Sequence, residues 1–600
     1  MSGPPTLELG VTGNCVISAL VDRLGRVVWS CLPRLDGDPV FHALVDGNGK
    51  GNADGRGLWS IELAGFERSE QEYRPNTAVL VTRLYSSNGS AIEVTDFCPR
   101  FERGGRMFRP QSLVRRVRPL AGTPRIRVQL RPSFEYGSLA PTTTHGSNHI
   151  RYVSPDRVIR LTTDAPVTYV LTETQFLLER PVNFVLGADE TLSESPEQTA
   201  RDFQDMTEAW WRQWTRRLAI PPEWQDAVIR AAITLKLCQF EETGAIIAAM
   251  TTSIPEAPDS GRNWDYRYCW LRDAFFVVRA LNQLSEVDTM EHYLRYLGNI
   301  VGQATDGHLQ PVYGIALERR LDEREVATLA GYRGMGPVRV GNQAFEHLQH
   351  DVYGNVVLAT AQSFFDRRLL RPSTDQDFVR LERVGEQAYR VYATADASMW
   401  ELRTRERVHT SSALMCWAAC DRLARIALHR ELPERARLWL DRAAEIRGAI
   451  EEKAFDAKRG SFMESFGGTD VEAGLLLMAE VGFMPADDAR FAGTVAQIEK
   501  RLRHGRQLFR YAAADDFGVP TTAFNICTFW YIDALARIGR ADEARELFEA
   551  MLASRNHVGL LSEDIGLEDG QHWGNYPQTY SLVGIVNGAT RLSRGWEEFT

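Results

Sequence analysis

Long apolar runs are missing from this 600-residue chain. None approaches the roughly 18 residues that a membrane-spanning helix needs, so no membrane partner is expected. An excess of basic charge is missing too. Lys and Arg number 69 against 79 Asp and Glu, for a net charge of −10. That balance removes the clustered positive charge by which nucleic acid is gripped, and no nucleic-acid partner is expected. The one basic stretch, "RPQSLVRRVRPL" (Arg109–Leu120), alternates with Leu and Val and reads as one solvated face of a strand. Cysteine is scarce, with eight residues and no paired zinc-type spacing. Cys416 and Cys420 stand one helical turn apart in "LMCWAACDRL", where apolar neighbours make them core packing. The start, "MSGPPTLELGVTGN", shows no basic segment followed by an apolar core, and with so few cysteines a reducing cytoplasm is the expected location. The glycosylation acceptor "NGS" at Asn88 carries no weight there.

Several motifs are also wanting. "GYRGMGPVRVG" (residues 331–341) follows no strand and lacks the Lys-Ser/Thr of a phosphate loop, so no nucleotide cofactor is implied. "HLQHD" sets His347 and His350 near Asp351, but no further ligand cluster stands out and no metal is expected. There is no Gly-x-Ser-x-Gly elbow and no His-Glu-x-x-His helix.

What is present is globular composition, 44% hydrophobic and 25% charged, in a chain too long for one ordinary core. Residues 1–194 read as an antiparallel β-sandwich. "CVISALVDRLGRVVWSC" is two β-prone runs around a turn at Gly25, and Asn88-Gly89 marks a second hairpin. Further strands are expected at "IRYVSP", "VIRLTT" and "VTYVLTE". Residues 195–222 form a helical linker, opening at Ser195-Pro196-Glu197, burying Trp210, Trp211 and Trp214, and closing at Pro221-Pro222. From residue 223 to 600 the apolar spacing is helical, as at Ala436, Trp439, Leu440 and Ala443. Twelve helices are expected, starting near residues 224, 270, 288, 342, 375, 409, 434, 469, 488, 522, 540 and 576. Twelve helices without strands between them need a closed or solenoid all-α arrangement to bury their faces. The irregular stretch Tyr313–Asn342 is too long to be a mere connection.

The chemistry concentrates in "NWDYRYCWLRDAFF" (Asn263–Phe276), where Asp265, Arg267, Arg272 and Asp273 sit among aromatics. Aromatic faces stack on sugar rings, and Asp with Arg can accept from and donate to vicinal hydroxyls through charge-assisted bonds. An internal ion pair of Arg272 with Asp273 beside core aromatics explains the same composition equally well. Two acids stand in comparable settings: Glu401 in "SMWELRTRE" and Glu563 in "GLLSEDIGLEDGQHWGNYPQTYSLVGIVNGA". Either, taken alone, reads as a cap or a surface acid.

Together these segments resemble bacterial glycoside hydrolase family 15, the glucoamylase, glucodextranase and trehalase-like group. "GNCVISALVDRLGRVVWSCLPRLDGDPVF" resembles the start of its trehalase-like N-terminal β-sandwich. "SGRNWDYRYCWLRDAFF", "GYRGMGPVRVGNQA", "HDVYG", "MWELR" and "LLSED…GNYPQTYSLVGIVNGA" resemble successive signatures of its catalytic domain. The resemblance implies a barrel of six helical hairpins, (α/α)6, and an inverting, exo-acting hydrolase that releases β-glucose from an α-glucoside, with no cofactor. By position it makes Glu401 the general acid and Glu563 the general base. It places Arg272, Asp273 and Trp270 around the glucosyl unit at subsite −1, Trp400 beside the acid, and Tyr332 and Arg333 on the pocket wall or the +1 side.

The physical requirements match. An alkoxide leaves poorly, so an acid must protonate it, and inversion needs a base across the ring to activate water, with the carboxyls roughly 6.5–9.5 Å apart. Glu401 must hold its proton and is expected to use the apolar Trp400 for this; Glu563 must stay ionised, with donors and some solvent nearby. One departure stands out. Where relatives show a pattern like "PRHFxHSKxMCW", this chain has "ERVHTSSALMCW", with Ser411 and Ala413 in place of His (or Tyr) and Lys. That leaves the linkage open among α,α-1,1, α-1,4 and α-1,6, and the oligomeric state is not legible. Two rival readings are an inverting maltose- or trehalose-type phosphorylase, which needs no second Glu, and a silent carbohydrate-binding homologue, against which both retained Glu residues argue.

Overall fold

The computed structural model of the chain describes residues 4–47, 55–403 and 405–599. Its first part is two antiparallel sheets packed face to face. One has the spatial order Leu9–Gly13, Ser18–Asp22, Val27–Leu32, Leu58–Leu63, Arg125–Arg131, Phe176–Leu177, with Asp38–Phe41 added beside Val27–Leu32. The other runs Thr142–His145, His149–Val153, Val158–Thr163, Val182–Ala188, Leu113–Ala121, Ala91–Phe97, Leu80–Ser86, Phe66–Tyr73. Both hairpins read from the sequence form, and Gly25 and Gly89 take the left-handed conformation their turns require (φ +71° and +82°).

Two expectations fail here for physical reasons. "VTYVLTE" is not a strand. Val167–Leu171 is a short helix after Pro166, burying Val167 and Val170 three residues apart while Thr168 and Tyr169 face outward. β-branched content suggested a strand, but the buried positions follow helical spacing. The basic stretch is a strand, Leu113–Ala121, without a uniformly solvated charged face. Arg115 is fully buried, donating to Asp96 at 2.7 and 3.1 Å and to the Trp59 carbonyl at 3.1 Å. A buried guanidinium of this kind is sustained only by such pairing.

The helix Pro196–Thr215 follows, capped by Ser195 accepting from the Gln198 N–H at 3.2 Å. Trp211 and Trp214 are buried as expected, whereas Trp210 is only half-buried. Beyond it lies an (α/α)6 barrel. The inner ring is Leu271–Gln283, Asp351–Phe365, Thr410–His429, the 3-10 turn Ala473–Leu476 running into Leu477–Glu480, Asn525–Arg537 and Thr579–Leu592, each packed on the next and the last closing onto the first. The outer ring is Gln225–Leu237, Asp288–Gln303, Asp375–Val391, Pro433–Lys453, Ala489–Leu502 and Ala541–Ala553. Inner helices are apolar nearly all round, because they are covered on both sides. One expected start is nine residues early. Asn342 caps only a 3-10 turn, Gln343–Glu346; the chain is extended at His347 and the helix opens at Asp351.

Sandwich and barrel share a buried ionic junction. Glu241 accepts from Arg100 of the sandwich at 3.1 Å and lies 3.0 Å from Lys236 at the end of the first outer helix. Lys236 is buried and also donates to Gln239 and Thr289, which satisfies its ammonium. Among the described residues no helix is long and apolar enough to cross a membrane.

Candidate active site

The N-terminal ends of the inner helices surround one cup, about 880 Å³ including its open mouth. Helix N-termini carry partial positive charge, and Arg272 and Asp273 occupy the first turn of Leu271–Gln283 there. Arg272 donates to Gln349 at 3.0 Å and lies 3.3 Å from Asp351, 3.5 Å from Asp273 and 3.7 Å from Glu401. Its guanidinium is thus shared among three carboxylates, which hold it charged. Burial pushes Asp273 up to about 7 despite Arg272 beside it.

Glu401 stands on an excursion pinched at its base, where Asp396 and Arg407 pair backbone to backbone at 3.0 and 3.3 Å. Ser398 and Glu401 both have left-handed backbones (φ +65° and +59°), a conformation disfavoured for residues with a Cβ. Such strain persists where the surroundings over-determine it, as in functional turns. It presents the Glu401 carboxyl to the cup, where Oε1 accepts from Trp270 Nε1 at 2.5 Å. Trp400 also lines the cup, but its indole turns away from Glu401 and donates to Glu472 at 2.5 Å. The neighbours of Glu401 are therefore an N–H and a cation rather than the apolar face expected of Trp400.

Glu563 precedes a short strand, Asp564–Ile565, which pairs with Ala523–Phe524 and His572–Trp573. Its Oε1 accepts from the Tyr266 hydroxyl at 2.7 Å and its Oε2 from the Asn575 N–H at 3.4 Å. Gly574 (φ +72°) allows this approach; a Cβ there would lie 2.5 Å from Glu563 Cβ. The carboxyl is buried and held well above the usual range, because burial and the nearby Glu256 and Asp564 carboxylates outweigh the Tyr266 bond and Arg510. The solvated, easily ionised environment expected of Glu563 is not what surrounds it.

The opening stretch divides its charges by alternation along an extended segment. Trp264 and Tyr266 face the cup. Asp265 and Arg267, fully buried, face away and pair with each other at 2.7 and 2.9 Å. The buried ion pair beside core aromatics is thus Asp265 with Arg267, while Arg272 and Asp273, the pair expected to form it, line the cup. Tyr266 and Trp270 cross edge to face with centroids 5.3 Å apart, so adjacent rings each hold one of the two candidate acids.

Tyr332 and Arg333 are not brought to the cup. Tyr332 is fully buried against Trp573, and Arg333 donates to the Pro5 carbonyl and Gln571. Their long loop serves packing. The rim is made instead by Trp264, with Phe517 edge-on at 5.3 Å and the Arg403 guanidinium over it at 4.4 Å. Asp515 and Asp516 tie the Phe517 turn to Arg262 and to the Arg403 N–H. Ser411 and Ala413 are buried in their helix and line no part of the cup, so their departure from the family pattern acts from behind it.

The model of "Glycosyl hydrolases family 15" matches residues 223–589. The chain belongs to glycosyl hydrolase family 15. Two family relatives, each named trehalase, come from Thermoplasma volcanium and Mycobacterium tuberculosis. Each is 30% identical, over 99% of this chain and 94% and 90% of their own lengths. In fold, the chain resembles a bacterial glucoamylase solved with acarbose, with TM-score 0.68 and 13% identity over 99% of this chain and 96% of that one.

Glu472 was not singled out by sequence, yet it is buried behind Trp400 and pushed up to about 7 by that burial. The unfolded carboxyl loses its proton near 4.5, so the stability present below about pH 4.5 is lost as pH rises through 7. Glu472→Gln keeps an acceptor for the Trp400 indole without the charge. It is expected to match the parent near pH 4 and to be more stable by up to about 3 kcal/mol at pH 8. Denaturant melts at the two pH values check this; a constant difference between parent and variant would contradict it.

Proposed function

We propose that this family 15 glycoside hydrolase cleaves α,α-trehalose with inversion, Glu401 acting as general acid and Glu563 as general base. The observation that carries the assignment is the pair of adjacent rings, Trp270 and Tyr266, presenting one oxygen each of Glu401 and Glu563 to a single cup. Trehalose is favoured over longer glucans by full-length similarity to proteins named trehalase and by the rim across Trp264.

In this reading one glucosyl ring sits on Arg272, Asp273 and Trp270. Trp400, Trp264, Arg403 and Phe517 flank the leaving glucose. Oε1 of Glu401 is taken by the Trp270 N–H, so the transferable proton rides on Oε2. As that proton passes to the bridging oxygen, Arg272 at 3.7 Å stabilises the carboxylate left behind. Glu563, once ionised, takes a proton from a water attacking the opposite face of the ring. We further propose the division at 1–194, 195–222 and 223–600. A cytoplasmic location is proposed on the strength of eight buried, unpaired thiols.

Anomer-resolved NMR tests the reaction. Inversion at one anomeric carbon of trehalose frees one β-glucose, while the other glucose departs with its α bond intact, so the first products are α and β in equal amounts. α-Glucose alone would mean retention. Glucose 1-phosphate formed only with phosphate present would mean a phosphorylase.

A further inference from the structure

We infer, on the reading that Glu563 is the base, that the N-terminal sandwich is a working part of the active site, clamping the back of the segment that holds Glu563. That segment is a pair of adjacent stretches, residues 249–253 and 264–268, joined by the Ala249 N–H to the Tyr266 carbonyl at 3.0 Å and the Ser253 N–H to the Trp264 carbonyl at 2.8 Å. Its front carries Tyr266, the hydroxyl donor to Glu563. Its back meets the sandwich at three points. Arg267 donates to the Tyr136 hydroxyl and to the Gly37 carbonyl, both at 2.8 Å, and the Trp29 indole donates to the Met250 carbonyl at 2.7 Å.

The second holder of Glu563 is backed in the same way. Asn575 gives its N–H to Glu563 and its side-chain amide to the Trp264 carbonyl at 2.8 Å. The next residue, Tyr576, reaches through its hydroxyl to the Leu9 carbonyl in the first sandwich strand, and Asn556 donates to the Leu7 and Leu9 carbonyls at 3.1 and 3.0 Å. Both walls of the Glu563 cradle thus rest on sandwich backbone or side chains.

Tyr136 is held for this contact at a conformational cost. Glu135 and Tyr136 are consecutive left-handed residues (φ +49° and +54°), kept so by Asp38, which accepts from both backbone N–H groups at 2.6 and 2.8 Å. Tyr136 and Trp29 touch neither substrate nor Glu563; they are positioning residues. A base that must meet an attacking water tolerates little displacement, since errors of about 1 Å cost rate steeply.

The test uses the full chain with trehalose, comparing Tyr136→Phe and Trp29→Phe with a control, Tyr152→Phe. The control loses a hydroxyl bond, Tyr152 to the Leu130 carbonyl at 3.3 Å, that lies wholly inside the sandwich. The clamp variants are expected to lose about tenfold in kcat with KM within about twofold, and to move the acidic limb of the kcat–pH profile. Tyr152→Phe is expected to change the melting temperature alone. Parent-like kcat and acidic limb in both clamp variants, whatever their melting temperatures, would overturn the inference. A parent inactive on every α-glucoside would instead remove the reading on which it rests.

Discussion

Glu401→Gln is expected to lower kcat on trehalose by about 10³-fold while KM changes by about threefold or less. The side chain keeps its volume, its place in the strained turn and an oxygen for the Trp270 indole, so the cup keeps its shape. What disappears is the proton, without which glucose must depart as an alkoxide. The decisive comparison uses α-glucosyl fluoride, whose fluoride leaves with little protonic help. The variant should lose far less rate on that substrate than on trehalose. Equal losses on both would show that Glu401 supports the fold of the cup and does not protonate a leaving oxygen. Arg272, 3.7 Å from the same side chain, keeps Asp351 and Asp273 beside it in the variant, so ring binding should survive.

How much of this was legible depends on whether the signal is periodic or pairwise. Ten of the twelve expected barrel helices open within three residues of the start read from the sequence, because apolar spacing repeats along each one. The other two begin with 3-10 turns: Asn342 caps Gln343–Glu346 ahead of the helix at Asp351, and Ala473–Leu476 precedes the short helix at Leu477 where a start near 469 is expected. Both candidate acids were legible through motif resemblance, and their convergence came from the fold. What could not be read were contacts between distant residues. Glu256 matters because Arg510 and Glu563 lie beside it, and Glu472 because Trp400 points at it. Arg115 looked solvated because Asp96, which neutralises it, sits on the neighbouring strand. Tyr332 and Arg333, placed on the pocket wall by the resemblance, pack away from the cup, since a matching motif does not say which way its loop folds. The two faces do carry a sequence signal: in "NWDYRY" strict alternation separates Trp264 and Tyr266 from Asp265 and Arg267.

Glu563→Ala is expected to cost a similar amount, about 10³-fold in kcat, because no other carboxylate takes its place between Tyr266 and Asn575. The space left by the side chain admits a small anion, and added azide should restore turnover by direct attack, giving β-glucosyl azide. A variant with near-parent hydrolysis would sink the base assignment. The pH dependence adds a second, independent check. Burial with Glu256 and Asp564 holds the Glu563 proton to unusually high pH, so kcat should rise with pH as that proton departs. Glu256→Gln removes one negative neighbour and frees Arg510 from its ion pair, and both changes favour the ionised base. The acidic limb should therefore move to lower pH, by about one pH unit or more. A limb that stayed in place would mean that another group, Asp273 at about 7 being the nearest candidate, governs the profile. Among the described residues Glu256, Glu563 and Asp564 face only Arg510 and Arg262, so ionising all three would bury a net negative charge. The proton this cluster retains at rest is the one that must leave before Glu563 can accept another from water.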